Sequence, residues 1–567
     1  MITDEMLLGV RKPAQYTGGE WNVSRKDFAK AEIKFALCFP DLYEVGMSNL
    51  GLRILYGLLN SREELVCERF FSPNIDLEEV LRKNNEGCFS LESRQPLREF
   101  DIVGFSLAYE LCYTNVLNIL ELGNIPLDSA LRDEKYPLII AGGPCVMNPE
   151  PMAEFFDLFV IGEAEEAILE ITEAYRKLKT EFKSGRIKKE GLLLALAQIE
   201  GVYVPALVQT KIKKRFVQDL DRSYFPKDWL VPYIQIVHDR ITLEVMRGCP
   251  NQCRFCQARS QYYPLRYRQP QTLLELADQT YKNSGYEEIS LLGLSVSDYP
   301  KLEELLKPLI CGFKSKGISV SLPSIKPKTM LGEMTDLIAT IKKTGLTFAP
   351  ESASERLRKI IGKDFDEDDF FRTLEKSYAA GYQHVKLYFM IGLPFEQDQD
   401  LDGLVDFCKR VSQMRREIAK YPAQVNISVN TMIPKPHTPM QWFGMIGLEK
   451  MREKQEYLRA RVRNRNLKVS FHNTLMSFLE GVFARGDRKL SRVIACAFKK
   501  GCRFDGWDEH FKFGLWQEAF QECNIEPEEI WISGSLKYTV PHRFVLHSRC
   551  ILKSSNALPV PISSIST

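Results

Sequence analysis

The chain has 567 residues, 76 basic and 74 acidic, for a net charge of +2, and 44% of it is hydrophobic. That length exceeds what one hydrophobic core supports, so two or three domains are expected, and the balanced charge excludes a chain built as a whole to bind polyanions. Its 14 cysteines show no dense secreted-type pattern, the opening MITDEMLLGVRKP lacks a charged-then-apolar signal, and no run nears the roughly 18 apolar residues of a membrane span. The expectation is a cytoplasmic protein with no membrane partner.

After a lead-in over residues 1–32, strand and helix signals alternate from residue 33 to about 180. IKFALCFP, VCERFFSP, DIVGFSLAYE, PLIIAGGP and DLFVIGEA read as strands, separated by helical runs such as MSNLGLRILYGLL. Near-continuous apolar strands between amphipathic helices predict a parallel sheet covered on both faces, a doubly wound Rossmann-like α/β domain. Residues 181–232 read as a connector of short strands and proline-marked turns, and the basic cluster KIKKRF in it as a solvated edge.

A second alternation over residues 233–445 starts at ITLEVMRG. It continues through EEISLLGLSV, ISVSLPSI, LTFAPES, HVKLYFMIGLP and AQVNISVNTMI, with helical runs between, giving six β/α units where a closed barrel needs eight. Residues 446–567 form a basic, mostly helical extension, and the Ser/Pro-rich end SSNALPVPISSIST reads as loosely ordered. Within LEKMREKQEYLRARVRNRNLK, Arg459 and Arg463 share one predicted helical face, as do Arg461 and Arg465. Such a face is solvated or grips RNA phosphates.

Chemistry concentrates in RGCPNQCRFCQAR. Cys249, Cys253 and Cys256 have C-x3-C-x2-C spacing on a loop at the C-terminal end of a strand, where barrel enzymes place their sites. The spacing is too tight for a disulfide framework and lacks the second pair of a zinc site. Three thiolates on a cubane cluster leave one iron without a protein ligand, free to bind a small molecule.

This run resembles the core motif of the radical S-adenosylmethionine (SAM) superfamily, C-x3-C-x-aromatic-C, with Phe255 at the aromatic position. The resemblance implies a partial (β/α)6 barrel and a 4Fe-4S cluster on the three cysteines. It also implies SAM chelated by the open iron, cleaved by one electron to a 5′-deoxyadenosyl radical, and an electron donor such as flavodoxin or ferredoxin. Candidate SAM contacts at successive strand tips are Phe255, Gly293, Ser295, Ser324, Glu351 and Gly392. The family's Gly-Gly-Glu-like motif is reduced here to Gly293-Leu-Ser295. Past the sixth strand, MIPKPHTPMQW fixes a rigid path and presents His437 and Trp442, either as a packed closure or as a substrate contact.

In the first domain, Asp41-Leu-Tyr43-Glu-Val-Gly46 resembles the D-x-H-x-x-G loop of cobalamin-binding domains, with Tyr43 in place of the axial histidine. Gly142, Gly143 and Gly162 end strands of the doubly wound sheet, where a ligand would lie. Cobalamin either binds without a protein ligand on its lower face, or the domain has kept the fold and lost the cofactor. Domain order resembles cobalamin-dependent radical SAM proteins that methylate or rearrange an unactivated carbon. Two alternatives stand beside that reading. One is a methylthiotransferase-like enzyme acting on tRNA or a ribosomal protein, with Cys38, Cys67 and Cys88 holding an auxiliary cluster. The other is a non-catalytic iron–sulfur sensor.

Overall fold

The computed structural model describes residues 3–209, 211–321 and 346–531, with the backbone of Phe544–Val545. Five strands, β1 (Ile33–Phe39), β2 (Leu65–Phe71), β3 (Ile102–Ser106), β4 (Leu138–Gly142) and β5 (Leu158–Val160), form a parallel sheet in the order β2-β1-β3-β4-β5. A sixth, β6 (Val202–Tyr203), joins antiparallel at the edge and comes from the segment read as connector. β2 is buried along its whole length, as expected of a strand covered on both faces.

Helices cover both faces, and on one of them the C-terminal part of the chain joins the core. Helices α1 (Leu50–Asn60) and α2 (Glu165–Lys183) close one face over Phe35, Leu37 and Ile140. The side chain of Asn49 starts α1 by accepting a hydrogen bond from the Leu52 amide at 3.0 Å. On the other face, Val103, Phe105 and Ile139 share one core with Phe483, Val493 and Trp516. Those three residues lie on α3 (Thr474–Arg485), α4 (Leu490–Lys499) and α5 (Phe513–Glu522). The C-terminal extension therefore completes the N-terminal domain. Trp516 donates to Asp505 Oδ1 at 2.8 Å, and Thr114 donates to Oδ2 of the same buried carboxylate at 2.6 Å.

The second unit is a barrel-like arc. Strands β7 (Ile241–Glu244), β8 (Glu288–Leu292) and β9 (Ser319–Ser321) form one parallel sheet. A second parallel sheet runs β10 (Leu346–Glu351), β11 (His384–Ile391), β12 (Gln424–Thr431) and β13 (Leu467–Phe471). β13 is an addition to the six predicted strands and comes from residues assigned to the extension. Ser324, the whole helical run MLGEMTDLIATIKK and the Ser/Pro-rich tail lie outside the described residues.

Two sequence expectations need correction. The helix carrying the arginines ends at Arg461, so Arg463 and Arg465 share no helical face with Arg459 and Arg461. Those two are also engaged: Arg459 lies over the Phe471 ring, and Arg461 pairs with Asp402 at 2.8 Å. The KIKKRF cluster is not simply solvated, because Lys214 is buried and donates to the carbonyls of Ser260, Gln261 and Tyr263 at 2.9, 2.8 and 2.6 Å. Among the described residues, no helix is long and apolar enough to cross a membrane.

Candidate functional site

The cysteine loop is bracketed by an antiparallel bridge in which Arg247 pairs with Arg266 and Met246 with Tyr267. Buried Glu163, just past β5, binds both arginines, at 3.0 Å from Arg247 and 2.6 Å from Arg266. These cations hold its carboxyl below the ordinary range despite burial. The loop is thereby fastened to the first sheet.

Its far side is fastened to the barrel. The Arg254 amide donates to Ile361 O at 2.8 Å, and its guanidinium donates to Ile360 O at 2.7 Å, using carbonyls left free at a helix end. Gly362 then allows close approach: its φ is +66°, and a Cβ there would lie 2.7 Å from Gln252 O. Phe255 packs with Leu357, Ile361, Leu393 and Met440. His437 closes the third side, donating from Nε2 to Met147 O at 2.9 Å while its own carbonyl accepts from Ser260 Oγ at 2.7 Å. Burial lowers its pKa to about 4. At neutral pH this ring is an uncharged brace between the two units.

Each thiol has its own stabilising neighbour. Asn251 Nδ2 donates to Cys249 Sγ at 3.3 Å and to Asp298 Oδ2 at 3.1 Å, and Ser295 Oγ donates to that same carboxylate at 2.6 Å. Ser295 is thus tied to the cysteine loop. Burial pushes Cys253 up to about 11, Lys363 draws it down, and the other thiols and Glu351 raise it. Burial raises Cys256 too, against hydrogen bonds from the amides of Arg259 and Ala258. Three thiols with a carboxamide, an ammonium and two amides aimed at them suit anionic sulfur bound to iron. Among the described residues, no three His, Cys, Asp or Glu side chains are placed to hold a single metal ion.

Glu351 ends β10 at a register shift, with φ at +65° and its carboxylate 3.5 Å from Lys363 Nζ. A glutamate in the left-handed region is strained, and burial raises its pKa against Lys363. Both groups act on Cys253, so Glu351 belongs to the cysteine site. Gly392 does not open onto free space. Its amide donates to Glu396 Oε1 at 3.2 Å, and a Cβ would meet Ile446 at 2.7 Å.

A cavity of about 410 Å³ lies where the carboxyl ends of both sheets converge. Gly142, Gly143 and Gly162 line it from the first sheet, and Met246, Gly248 and Gly293 from the barrel. It continues as an apolar slot between α1 and the sheet, walled by Leu50, Ile54, Phe35 and Leu37. The nearest atom that a Cβ on Gly142 would meet is Val160 O, at 4.0 Å, so a side chain there would stand in the cavity. Asp41 and Gly46 are elsewhere. Asp41 accepts from Trp507 Nε1 at 3.0 Å, and Gly46 sits under the Phe71 ring. Tyr43 is buried and donates to Glu20 at 2.8 Å, and no histidine among the described residues lines the cavity.

Sequence reasoning missed Asn251, Lys363, Lys214 and Arg247. Asn251 lies inside the motif and was within reach. The others act through contacts made by distant segments, for which the sequence carries no local signal.

Residues 51–205 match the family of N-terminal regions of radical SAM proteins, and residues 243–408 match the radical SAM superfamily. The chain is 31% identical over 463 residues to the uncharacterized protein MJ0966 of Methanocaldococcus jannaschii, covering 81% of this chain and 90% of that one. It is 23% identical over 188 residues to the ribosomal protein uS12 methylthiotransferase RimO of Thermodesulfovibrio yellowstonii, covering 32% of this chain and 44% of that enzyme. The solved structure of the radical SAM methyltransferase TsrM of Kitasatospora setae, with cobalamin and a 4Fe-4S cluster bound, aligns at TM-score 0.48 and 13% identity over 72% of this chain and 77% of that one. The cobalamin-dependent SAM radical enzyme OxsB, with aqua-cobalamin and SAM bound, aligns at 0.49 and 14% over 87% and 71%. With its cysteine motif, its open barrel and a relative matched over nearly its whole length, the chain belongs to the radical SAM superfamily of enzymes, which use a 4Fe-4S cluster and SAM.

Proposed function

We propose that this enzyme cleaves SAM reductively at a cluster on Cys249, Cys253 and Cys256, and that a corrinoid occupies the cavity between the units, for methylation or rearrangement of a carbon centre. The observation carrying the corrinoid is that one cavity, of about 410 Å³, is lined by strand ends of both sheets and extends into an apolar slot. When bound, the cluster supplies the electron that cleaves SAM to a 5′-deoxyadenosyl radical, and the corrinoid supplies a methyl-carrying cobalt. The chain's own groups position and shield. Asn251 and Lys363 steady the thiolates, and Glu351 offers a carboxylate to the SAM ammonium or ribose. His437 and Lys214 brace the loop without adding a proton donor. Tyr43, its hydroxyl turned toward Glu20, would not be among the residues holding a corrinoid. Flavodoxin or ferredoxin is the proposed electron donor, and the cytoplasm the proposed location.

The test is anaerobic purification with hydroxocobalamin supplied, followed by iron count, visible spectrum and 5′-deoxyadenosine assay with dithionite. About four irons per chain, a corrinoid spectrum and SAM cleavage are expected. Cys253→Ala should lose the iron and the 5′-deoxyadenosine together, and Gly142→Phe should lose the corrinoid while keeping the iron. A wild-type protein that takes up no corrinoid sinks the cobalamin part of the reading.

The methylthiotransferase reading has little support in the cysteines. Cys38 and Cys88 belong to the core on one face of the first sheet and Cys67 to the core on the other. They cannot share one cluster. An iron count near eight would restore that reading.

A further inference from the structure

The barrel's inner face is unlike that of a closed barrel. On β11 and β12, Val385, Leu387, Phe389, Val425, Ile427 and Val429 pack under the outer helices, among Phe370, Leu404 and Phe407. The alternate residues point the other way, and the strands read exposed–buried–exposed–buried from their starts or nearly so. A closed barrel fills such positions with layers of bulky apolar side chains. Here they are Lys386, Tyr388, Asn426, Ser428 and Asn430, joined by Lys468 on β13, and all are at least partly exposed.

Register organises them. Lys386 pairs with Asn426, and Asn426 pairs with Lys468, so two ammonium groups flank one carboxamide in a single cross-strand row. With strands about 4.8 Å apart, the two lysine Cα atoms stand roughly 10 Å from each other. Lys386 Nζ lies 4.8 Å from the Tyr388 ring centroid, which keeps it on the inner face. Neither lysine has an ion-pair partner among the described residues, whereas the inner-face acids Glu351, Glu244 and Glu288 are engaged by Lys363, Arg247 and Arg240. The row lies six residues before Gly392, about 20 Å down the strand at roughly 3.3 Å per residue. That is too far for SAM held at the cluster to reach.

We infer that Lys386, Asn426 and Lys468, on the inner face of the open barrel, bind an oxyanion group, phosphate or carboxylate, of an elongated polar substrate. The inference rests on the SAM-cleaving reading, which puts the reacting carbon near the strand tips and the anionic anchor at the other end. Two cations with a hydrogen-bonding carboxamide between them match an oxyanion in charge and in donors.

The experiment is calorimetric titration of the anaerobically purified holoenzyme with inorganic pyrophosphate and, separately, with citrate, at matched ionic strength. Saturable binding of one probe is expected, pyrophosphate indicating a phosphate anchor and citrate a carboxylate. Lys386→Gln with Lys468→Gln should weaken it at least tenfold, Lys386→Arg with Lys468→Arg should retain it, and Lys450→Gln, on an outer helix, should bind as wild type. Iron content per chain verifies that each variant is folded. Absence of saturable binding by either probe, equal binding by the double glutamine variant, or equal loss in Lys450→Gln overturns the inference. Binding without SAM cleavage by wild type would instead sink the proposed function and leave the anion site standing.

Discussion

Two parallel sheets in this chain solve burial in opposite ways. The first is sealed on both faces, so IKFALCF is buried at six of seven positions and LVCERFF at all seven. Only its carboxyl edge is left to meet a ligand. The second seals just its outer face, and HVKLYFMI and QVNISVNT alternate accordingly. The inner-face residues of those two strands are at least partly exposed. A doubly covered sheet is a scaffold with a functional rim, while a singly covered arc is functional along its length.

The contrast is sharpest in paired substitutions. Phe70→Ala in the sealed sheet should cost about 4 kcal/mol, because a ring that is 1% exposed leaves a cavity in close packing. Ser428→Ala on the inner face of the arc should change stability by less than about 0.5 kcal/mol. Denaturant midpoints compare the two, and a Ser428→Ala loss as large as that of Phe70→Ala would break the distinction.

The units are joined by a second, polar kind of contact. Lys435 Nζ lies 2.5 Å from Glu110 and 2.8 Å from Glu480, and Tyr109 donates to Glu480 at 3.0 Å. Burial works against the ammonium, but the two carboxylates outweigh it and raise its pKa. Lys435→Met should cost about 3 kcal/mol by leaving two buried carboxylates unpaired. Limited proteolysis should then cut between the units sooner than in wild type.

A further effect is in pH. His437 has its pKa lowered from 6.5 to about 4 by burial. The folded chain therefore binds fewer protons than the unfolded one between those values. The stabilising contribution is complete above pH 6.5 and is lost as pH falls toward 4, by roughly 3 kcal/mol. His437→Gln should flatten that part of the stability curve, and an unchanged slope would show that the ring is not the group responsible.

Much of this arrangement was legible in the sequence. The apolar runs marked the sealed sheet, and the cysteine spacing marked the cluster loop. The inner face was equally visible, since Lys386, Asn426 and Lys468 interrupt strands that a packed barrel would keep apolar, but attention to strand tips passed over strand bodies. Other features had no local signal. Asp41 looked like part of a cofactor loop and instead accepts from Trp507, a residue 466 positions away. The part played by the C-terminal helices followed from tertiary packing, because an amphipathic helix does not specify which sheet it will cover.

That packing governs how the molecule is made. A ribosome delivers β1 to β5 early, but Phe483, Val493 and Trp516, which join the core on one face of that sheet together with the helix Tyr113–Leu122, emerge only after the barrel has been translated. Some 300 residues separate Val202–Tyr203 from Trp516, roughly 15–60 s of synthesis at ordinary speeds. During that interval the helix Tyr113–Leu122, which covers that face of the sheet, lacks its own outer partners, and its exposed apolar residues call for chaperone cover. The last-made helices thus decide when the first-made domain becomes a finished fold.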